Sequence, residues 1–376
     1  DSLRSVVLPE SLQRIGSSAF YSCDNLTSIT LPVAVKEIKN YAFYECYLLK
    51  EIYSYAEEAP IINSETFYDR GSINLYLPAN IMWRYINAMY WKDFKIIKKD
   101  IDGIYYNVIS EDEVAVTFKD RHYNSYRGEV EVPEQVEIEG RTYRVTAVSD
   151  YAFYNCDSLI SVVLPNAIDS IGQYAFYSSE SLKRVNIPES VTKIESETFH
   201  YCHSLQEIVI PEGVTEIGQY AFGDCSSLVS VNIPEKITKI ESGTFQGCSS
   251  LPEIVIPEGV TEIGSWAFGN CYGLRNVTIP STVKAIGNYG FWECREATIH
   301  CHAEEPPVIY SETFNNYSSN LLYVPVASIL RYKSAEYWNR FSYAPQVVDG
   351  IYYDVMNETE VAVTFKDHHY NSYRGE

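Results

Sequence analysis

The amino-acid sequence predicts a β-rich solenoid, a fold in which short coils of equal length stack on one another. One indication is a phenylalanine that recurs every 23 residues from Phe153 to Phe314. A proline that follows an aliphatic residue recurs at the same interval, beginning at Pro165. In addition, the twelve residues EIVIPEGVTEIG occur at 207–218 and again at 253–264. A fixed period in the twenties is typical of stacked coils.

Each 23-residue coil is predicted to contain one strand followed by a turn. In the segment SVNIP, Val231 and Ile233 alternate with polar residues, which is the two-residue period of a strand. The proline ends the strand because it has no N–H with which to continue the ladder. Further inward positions and a turn then close the coil, as at Val214, Ile217, Gly218, Phe222 and Cys225.

A single coil is not expected to fold by itself. One coil buries about five inward apolar side chains. The free energy gained by burying them is smaller than the conformational entropy cost of ordering the residues of the coil. Stacked coils share buried surface and backbone pairing, so their stability is collective. We therefore interpret the repeated twelve residues as one coil of a two-coil unit of 46 residues, and not as a duplicated active site.

A longer period of 247 residues overlies the coils. The segment 56–67 returns as 303–314, and the segment 113–129 returns with one change at 360–376. We predict four segments. Residues 1–98 are the end of one module with a helical cap, and residues 99–148 are a β-hairpin linker. Residues 149–345 are a complete solenoid with its cap, and residues 346–376 are the start of a further hairpin cap. Because the chain begins inside a repeat and ends within a motif, we expect a fragment of a longer tandem array.

Short helices are predicted to cover the open ends of the solenoids, as repeat proteins require. The segment 329–341 follows Ser328, a residue type that caps helix N-termini. The corresponding earlier segment is 81–94, with helical spacing in Ile81, Tyr85, Met89 and Trp91. Residues 101–148 alternate like strands, and we interpret them as β-hairpins with turns at Gly128 and Gly140.

The coil pattern resembles the leucine-rich repeats of the Bacteroides surface protein-like (BspA-like) family, whose unit has the form LPxSVTxIGxxAFxxCxxL. Here it stands as IPEGVTEIGQYAFGDCSSL at 210–228, and eleven copies keep their phenylalanine. The resemblance implies a leucine-rich-repeat solenoid. Combined with the segments described above, the predicted fold has one short parallel strand per coil, β-hairpin N-caps and short helical C-caps. It also implies an extracellular bacterial protein involved in adhesion and in binding a host partner.

Charge and motifs exclude several classes of function. A formal net charge of −21, without a cluster of Lys and Arg, argues against nucleic-acid and anionic-membrane partners. No run of about 18 apolar residues predicts a membrane span. The sequence has no nucleophile elbow, phosphate-binding loop, dinucleotide fingerprint or zinc-protease motif, so we expect no catalysis and no cofactor.

Cysteine occupies a column of the repeat. Eight of the nine cysteines stand three residues after the repeat phenylalanine, and Ser179 takes this position in one coil. We expect buried free thiols, because a small, weakly hydrogen-bonding residue suffices there. Disulfides between neighbouring coils, which lie about 4.8 Å apart, and a metal site are the alternatives.

Two segments, 200–203 and 300–302, each carry two histidines and a cysteine and resemble metal ligands by composition. The positions that correspond to the second segment in the preceding module are Tyr53 and Tyr55, which cannot form the same site. We therefore expect no metal at either segment, and none at His368–His369.

The outward strand positions form the first candidate binding surface. The first outward position is occupied in turn by Ser161, Arg184, Glu207, Ser230, Glu253 and Asn276. The second is occupied by Val163, Asn186, Val209, Asn232, Val255 and Thr278. Such small, mixed residues suit broad contact with a partner. The alternative is a solvated sheet without a partner.

A column of aromatic residues, two positions before the phenylalanine, forms the second candidate. Its members include Tyr151, Tyr174, Tyr220, Trp266 and Tyr289. Exposed Tyr and Trp provide much binding area at a low entropic cost, and could stack on sugars or anchor a protein. The alternative is that these rings shield the coil edges and pack against each other.

Taken with the family resemblance, these features predict a non-catalytic bacterial cell-surface adhesion protein. Its solenoid would present an extended surface to a host extracellular protein or glycan, and its modules could self-associate. We expect no nucleic-acid partner and no membrane insertion by this segment. A structural spacer of a longer surface protein is the alternative. A glycan-active enzyme is a third possibility and would need a cleft.

Overall fold

The computed structural model describes residues 3–86, 88–119, 124–348, 351–356 and 361–363. The chain divides into two compact units, of which the first comprises 1–119 with 133–146 and the second 120–132 with 147–376. Among the described residues, no helix combines the length and apolarity needed to cross a bilayer. The division into four segments remains a prediction.

The first unit opens with a short solenoid. Its strands are β1 Arg14–Ile15, β2 Ser28–Leu31, β3 Glu37–Ile38, β4 Glu51–Ser54, β5 Asn74–Tyr76 and β6 Lys95–Ile96. Strands β2, β4, β5 and β6 pair in parallel in that order, while β1 pairs with β3 in a second parallel ladder. The helical elements are a 3-10 turn, helix α1 and another 3-10 turn, at Arg70–Ser72, Ala79–Ile86 and Trp91–Asp93.

A mostly antiparallel region follows the first solenoid. Its strands are β7 Lys99–Ile101, β8 Ile104–Val108, β9 Glu113–Thr117, β10 Gly128–Glu131, β11 Gln135–Ile138 and β12 Arg141–Val148. Five of them form a sheet in the order β11–β12–β9–β8–β7. Both residues of the turns Asp102–Gly103 and Glu139–Gly140 have positive φ, as two-residue hairpin turns require. The predicted hairpins are confirmed for these strands.

Strand β10 corrects one prediction for this region. It pairs in parallel with Leu159–Val163, so it is the first rung of the second solenoid and not an arm of a hairpin. The physical reason is its sequence, EVEVP, which has the strand-then-proline pattern of a coil. Gly128 lies at a bulge in this strand instead of forming a turn between hairpin strands.

The second unit is the longer solenoid. Its strands are β13 Leu159–Val163, β14 Ser170–Ile171, β15 Arg184–Val185, β16 Lys193–Ile194, β17 Glu207–Ile208, β18 Glu216–Ile217, β19 Ser230–Val231, β20 Lys239–Ile240, β21 Glu253–Val255, β22 Glu262–Ile263, β23 Asn276–Ile279, β24 Ala285–Ile286, β25 Thr298–Cys301, β26 Leu321–Tyr323 and β27 Ser342–Tyr343. Its helical elements are helix α2 Ile329–Ser334 and 3-10 turns at Tyr317–Ser319, Val326–Ser328 and Trp338–Arg340. Three antiparallel strands follow, namely β28 Gln346–Val348, β29 Ile351–Val355 and β30 Val361–Val363.

The predicted parallel solenoid is confirmed, but most coils contain two strands instead of the predicted one. The strands before the prolines form the outer ladder, which is paired in three parts: β10–β13–β15, β17–β19 and β21–β23–β25–β26–β27. A second ladder runs through two-residue strands after the prolines, as in β20–β22–β24. Its members consist of an outward residue and a buried isoleucine, such as Glu262 and Ile263. Two residues are too few to show a strand period, so the sequence pattern did not reveal this ladder.

The core of the second unit is a continuous stack of phenylalanine rings. From Phe153 to Phe314, neighbouring ring centroids lie 4.8–5.5 Å apart and the rings are within 13° of parallel. None of these side chains is more than 1% exposed. Tyr126 closes one end of the stack, 4.6 Å from Phe153, and Phe341 closes the other, 5.1 Å from Phe314.

The cysteine column supports the stack by hydrogen bonding. The thiol of Cys225 donates to the main-chain oxygen of Phe199 at 3.2 Å, and equivalent bonds recur through the column. The Ser179 hydroxyl makes the same bond to Phe153. All nine cysteines are free, and all except Cys23 are buried. Burial raises the pKa of the Cys271 thiol to about 12. The predicted buried thiols are therefore confirmed for seven of the eight column positions, and Cys23, in the first column position, is only partly buried.

The helical caps are shorter than predicted. Helix α1 ends at Ile86, so Met89, which was predicted to continue the helical spacing, lies beyond it and is 73% exposed. Helix α2 ends at Ser334, and Tyr337 with φ of 65° then turns the chain so that the Trp338 indole can donate to a carbonyl. Ser328 stands at the N-cap, but its side chain makes no capping hydrogen bond.

Candidate binding surface

The outward positions of the outer ladder divide into two alternating kinds. Val163, Val209 and Val255 project into solvent, with 53%, 74% and 64% of each residue exposed. The register pairs β17 with β19 and β21 with β23, so each projecting valine has a different residue type beside it. The face therefore carries valine ridges on every second coil, separated by coils that carry Asn186, Asn232 and Thr278.

The asparagines between the ridges are turned back onto the backbone. Asn232 accepts a hydrogen bond from the Ile210 N–H at 2.8 Å through Oδ1, and its Nδ2 donates to the Ile210 oxygen at 2.7 Å. Asn186 makes the same pair of bonds to Leu164, at 2.7 and 2.8 Å. Each amide thus replaces the backbone pairing that ends one residue earlier, and Asn186 is at the same time exposed to solvent.

Thr278 shows what happens without the asparagine. In that coil the Ile256 N–H donates to the Thr278 main-chain oxygen at 3.0 Å, so the backbone itself continues the ladder. Strands β21 and β23 are correspondingly longer than β17 and β19. Of the six predicted residues, the three valines are exposed, and Asn186 and Asn232 also have a structural role; whether any of them binds a partner stays a prediction.

Replacing Asn232 with alanine should therefore destabilise the fold. Leaving the Ile210 N–H and oxygen without partners is expected to lower the free energy of unfolding by about 1–3 kcal/mol. Thr278→Ala is the matched control, because the backbone already makes the equivalent bond there, and it should cost less than about 0.5 kcal/mol. Urea unfolding followed by circular dichroism measures both variants. Equal effects would contradict the role assigned to the amide.

Two shallow grooves lie over the asparagine coils. The first has Asn186 at its floor, with Val163 and Val209 on either side. The second has Asn232 at its floor and Val255 at one side. Both grooves are lined by aliphatic side chains together with Asn, Ser and Glu, and the first also by Arg184; they recur with the 46-residue period of the two-coil unit. They can accommodate an extended chain but do not enclose a small molecule.

The aromatic column is half-buried and packs against itself. Tyr151 and Tyr174 stack at 5.1 Å, and Trp266 and Tyr289 stack at 4.4 Å. The Tyr220 ring fills the space that a side chain at position 243, a glycine, would occupy. A hydrogen bond to Glu197 raises the pKa of Tyr174 to about 12. This geometry favours the shielding alternative, because the stacked rings cover each other's faces.

The column residues also share an unusual backbone conformation. Tyr151, Tyr174, Tyr220, Trp266 and Tyr289 all have φ between 53° and 60°. Left-handed conformations are uncommon for residues other than glycine, especially for bulky ones. The fold holds these residues there because the coil must reverse around its phenylalanine, and the stacked rings compensate part of the strain.

The histidine segments are placed by packing and hydrogen bonding. His200 stacks on Tyr201 at 3.9 Å, and its two ring nitrogens lie 3.4 Å from Glu197 and Asp224. In the other segment, His300 stacks on Tyr323 at 4.7 Å. Within the described part of the chain, no three His, Cys, Asp or Glu residues are grouped to hold a metal ion. The pair His368–His369 lies outside the described residues.

A charged surface on the second ladder was not predicted from the sequence. Lys193 lies 3.2 Å from Glu195 and 3.5 Å from Glu216, and Lys239 repeats the arrangement two coils later. A polar groove lies between the two lysines, over Gly218. Lys and Glu alternate at this position of successive coils, with a period of 46 residues, and this alternation is the sequence pattern that indicates the charged surface. Because the pairs are exposed, each contributes little to stability.

The fold and this surface define a class of protein, a parallel-strand β-solenoid of 23-residue coils with an extended outer face. The family model described as BspA type leucine rich repeat region matches in six copies, over residues 1–102, 134–252 and 238–332. The chain therefore belongs to the BspA-type leucine-rich repeat family, as the sequence predicted. No curated protein matches it.

Solved structures of bacterial repeat proteins are similar to this chain. A leucine-rich repeat protein of T. pallidum is 30% identical, with a TM-score of 0.45 over 52% of this chain and 89% of that one. A leucine-rich repeat protein from Bacteroides ovatus is 24% identical, with a TM-score of 0.41 over 60% and 70%. A leucine-rich cell surface protein from Faecalibacterium prausnitzii is 21% identical, with a TM-score of 0.35 over 88% and 86%.

Proposed function

We propose that this protein is a non-catalytic adhesion or binding protein of the bacterial cell surface. The partner, a host extracellular protein or glycan, docks on the outer ladder of the second unit. The observation that carries the proposal is the set of exposed valines at positions 163, 209 and 255, which recur on every second coil of this face beside two shallow grooves. Membership of the BspA-type family supports the surface location.

The arrangement of the valines matters more than their exposure. Single exposed aliphatic side chains are ordinary, whereas apolar groups aligned on one face and surrounded by polar residues mark an interaction surface. The first outward positions supply the polar surroundings here, including Arg184, Glu207 and Glu253. Backbone hydrogen bonds hold the ridges in place. Binding of a partner therefore causes little loss of conformational entropy in this protein.

Binding without chemistry is the function that the grooves support. Catalysis requires an acid, base or nucleophile placed in a water-excluding site, whereas both grooves are shallow and open to solvent. Neither groove is lined by His, Cys or Tyr. The tandem repetition over 247 residues supports a second role, in which the modules act as a spacer that projects other parts of a longer protein.

A variant with both Val209 and Val255 replaced by lysine tests the proposal. An array of host extracellular-matrix proteins and glycans is screened first, and a partner of the unchanged protein is then titrated with the variant. Since each buried valine contributes about 1.5–3 kcal/mol, we expect the affinity to fall more than about a hundredfold. Asn232 is left unchanged because its replacement would disturb the ladder.

The matched control replaces Val308 and Val326, which are 59% and 60% exposed but lie on the second ladder and in the C-terminal cap. This variant should bind like the unchanged protein, and circular dichroism should be the same for all three. Binding that survives Val209→Lys with Val255→Lys moves the site elsewhere. An array without any partner supports the spacer role instead.

A further inference from the structure

We propose that the second ladder of the second unit binds a second copy of this chain, in a dimer whose two-fold axis runs parallel to the strands. This surface shares no residue with the outer ladder, so the inference goes beyond the proposed function. It rests on the order of charged and small residues over six successive coils. When one copy is turned end for end, this order becomes complementary to itself.

The outward residue of each short strand provides the first part of the complementarity. It precedes the buried isoleucine of the strand. Over six coils it is in turn Ser170, Lys193, Glu216, Lys239, Glu262 and Ala285. A two-fold axis between Glu216 and Lys239 reverses this order in the second copy. Lys193 of one copy then faces Glu262 of the other, and Lys239 faces Glu216. The uncharged ends also face each other.

The spacing of the coils permits this alignment. It requires only that the interval from Lys193 to Glu216 equals the interval from Lys239 to Glu262. Both intervals are rungs of paired parallel strands, β16 with β18 and β20 with β22, so both have the strand separation of a sheet. Strands β18 and β20 belong to separate ladders, but the interval between them lies across the axis and is the same in both copies. The alignment therefore does not depend on its length.

The residue before the outward position shows the same symmetry independently. Over the six coils it is in turn Asp169, Thr192, Thr215, Thr238, Thr261 and Lys284. The axis places Asp169 of one copy opposite Lys284 of the other, and each threonine opposite a threonine. Asp169 and Lys284 are both exposed, and no ion pair within the described part of the chain includes either of them. A second copy can therefore pair with both charges.

The groove over Gly218 adds complementarity of shape. The second residue after the outward position alternates between glutamate and glycine, as Glu195, Gly218, Glu241 and Gly264. Under the same axis, Glu241 of the second copy faces Gly218, and Glu195 faces Gly264. A side chain that projects therefore meets a position without one. The groove is also lined by Lys193 and Lys239, so a carboxylate that enters it comes between two ammonium groups.

The ion pairs within one copy leave these charges accessible. Lys193 and Lys239 lie 3.2–3.6 Å from carboxylates of their own chain, and their side chains are 47% and 41% exposed. Exposed pairs contribute little stability, so a second carboxylate can approach each ammonium without a large loss. The net charge of −21 opposes association in general, so we expect a weak dimer that forms where copies are concentrated. A uniformly charged partner would meet like charges on alternate coils.

Carbodiimide cross-linking tests the arrangement, because it joins a carboxylate to an amine only where the two are in contact. The intact chain is treated at high concentration, and the covalent dimer is isolated and mapped by mass spectrometry. We expect a link between Lys193 and Glu262. In a single copy these residues are three coils, or about 14 Å, apart, so the link can form only between copies. A parallel arrangement of the two copies would not give this link.

An exchange of two charges gives matched variants. Asp169→Lys places lysines opposite each other at both ends of the aligned surface, and Lys284→Asp places aspartates there. Each single variant should give at least about fivefold less of the Lys193–Glu262 link, because like charges replace opposite ones. The variant with both substitutions has the original net charge and opposite charges at both ends again, so its yield should return to that of the unchanged chain. Circular dichroism should be the same for all four proteins.

Absence of the Lys193–Glu262 link from the unchanged chain would overturn the proposal. A double variant that cross-links no better than the single variants would also overturn it, because the exchange restores only a pairing between these two positions. The result is independent of the proposed function. The variant with Val209→Lys and Val255→Lys should give the link in unchanged yield, and its loss of partner binding does not depend on whether the dimer forms.

Discussion

Phe222→Ala is expected to lower the free energy of unfolding by about 3–5 kcal/mol. The ring is fully buried, with the Phe199 ring at 5.4 Å on one side and the Phe245 ring at 5.5 Å on the other. Two ladders fix the spacing of the coils, so the neighbours cannot collapse into the space left by the ring. The cost should therefore lie towards the upper end of the range for large-to-small substitutions.

Tyr272→Ala is the control for this prediction. Tyr272 is also a large ring, but it is 54% exposed and lies outside the phenylalanine stack. Its removal should change the free energy of unfolding by no more than about 0.5 kcal/mol. Urea unfolding monitored by circular dichroism measures the free energy of unfolding of Phe222→Ala and of Tyr272→Ala. If Phe222→Ala is no more destabilising than the control, the stack does not support the solenoid.

Trp338→Ala should destabilise the C-terminal end of the solenoid by a similar amount, about 3–5 kcal/mol. The side chain is 1% exposed, its indole N–H donates to the Pro307 oxygen at 2.7 Å, and its ring contacts the Tyr332 ring at 5.1 Å. The substitution removes all of these contacts and leaves a buried carbonyl without its partner. The cap then no longer protects the last coils.

Hydrogen exchange distinguishes this loss from a general loss of stability. After Trp338→Ala, the amides of Thr298–Cys301 and Leu321–Tyr323 should exchange faster, while those of Leu159–Val163, at the other end, should change little. Trp338→Phe keeps most of the packing and loses only the hydrogen bond, so its effect should be intermediate. Uniform acceleration across all coils would show that the cap has no local role.

Much of the fold could be predicted because the period fixes the inward positions. Val214, Ile217, Phe222 and Cys225 were all predicted to point inward, and each is 3% exposed or less. Burial of these side chains is a property of every coil, so eleven copies of the pattern made it visible. The family followed from the same residues, because its unit is defined by their spacing.

The features that the sequence missed depend on how side chains orient between coils. Asn186 and Asn232 occupy outward positions, and only the geometry shows that their amides turn back to bond the preceding coil. The alternation of Val and Asn over 46 residues was a signal that the two kinds of coil differ. In the same way, strand periodicity alone did not distinguish β10, a rung of the parallel ladder, from a hairpin arm.

The coils are expected to be stable only as a stack, and the stack holds the valine ridges in place. A peptide comprising residues 207–252, two complete coils, tests this most directly by circular dichroism beside the intact chain. We predict a disordered spectrum without a cooperative thermal transition for the peptide, and a β-sheet spectrum with a cooperative transition for the intact chain. A peptide that shows a β-sheet spectrum and unfolds cooperatively by itself would contradict it.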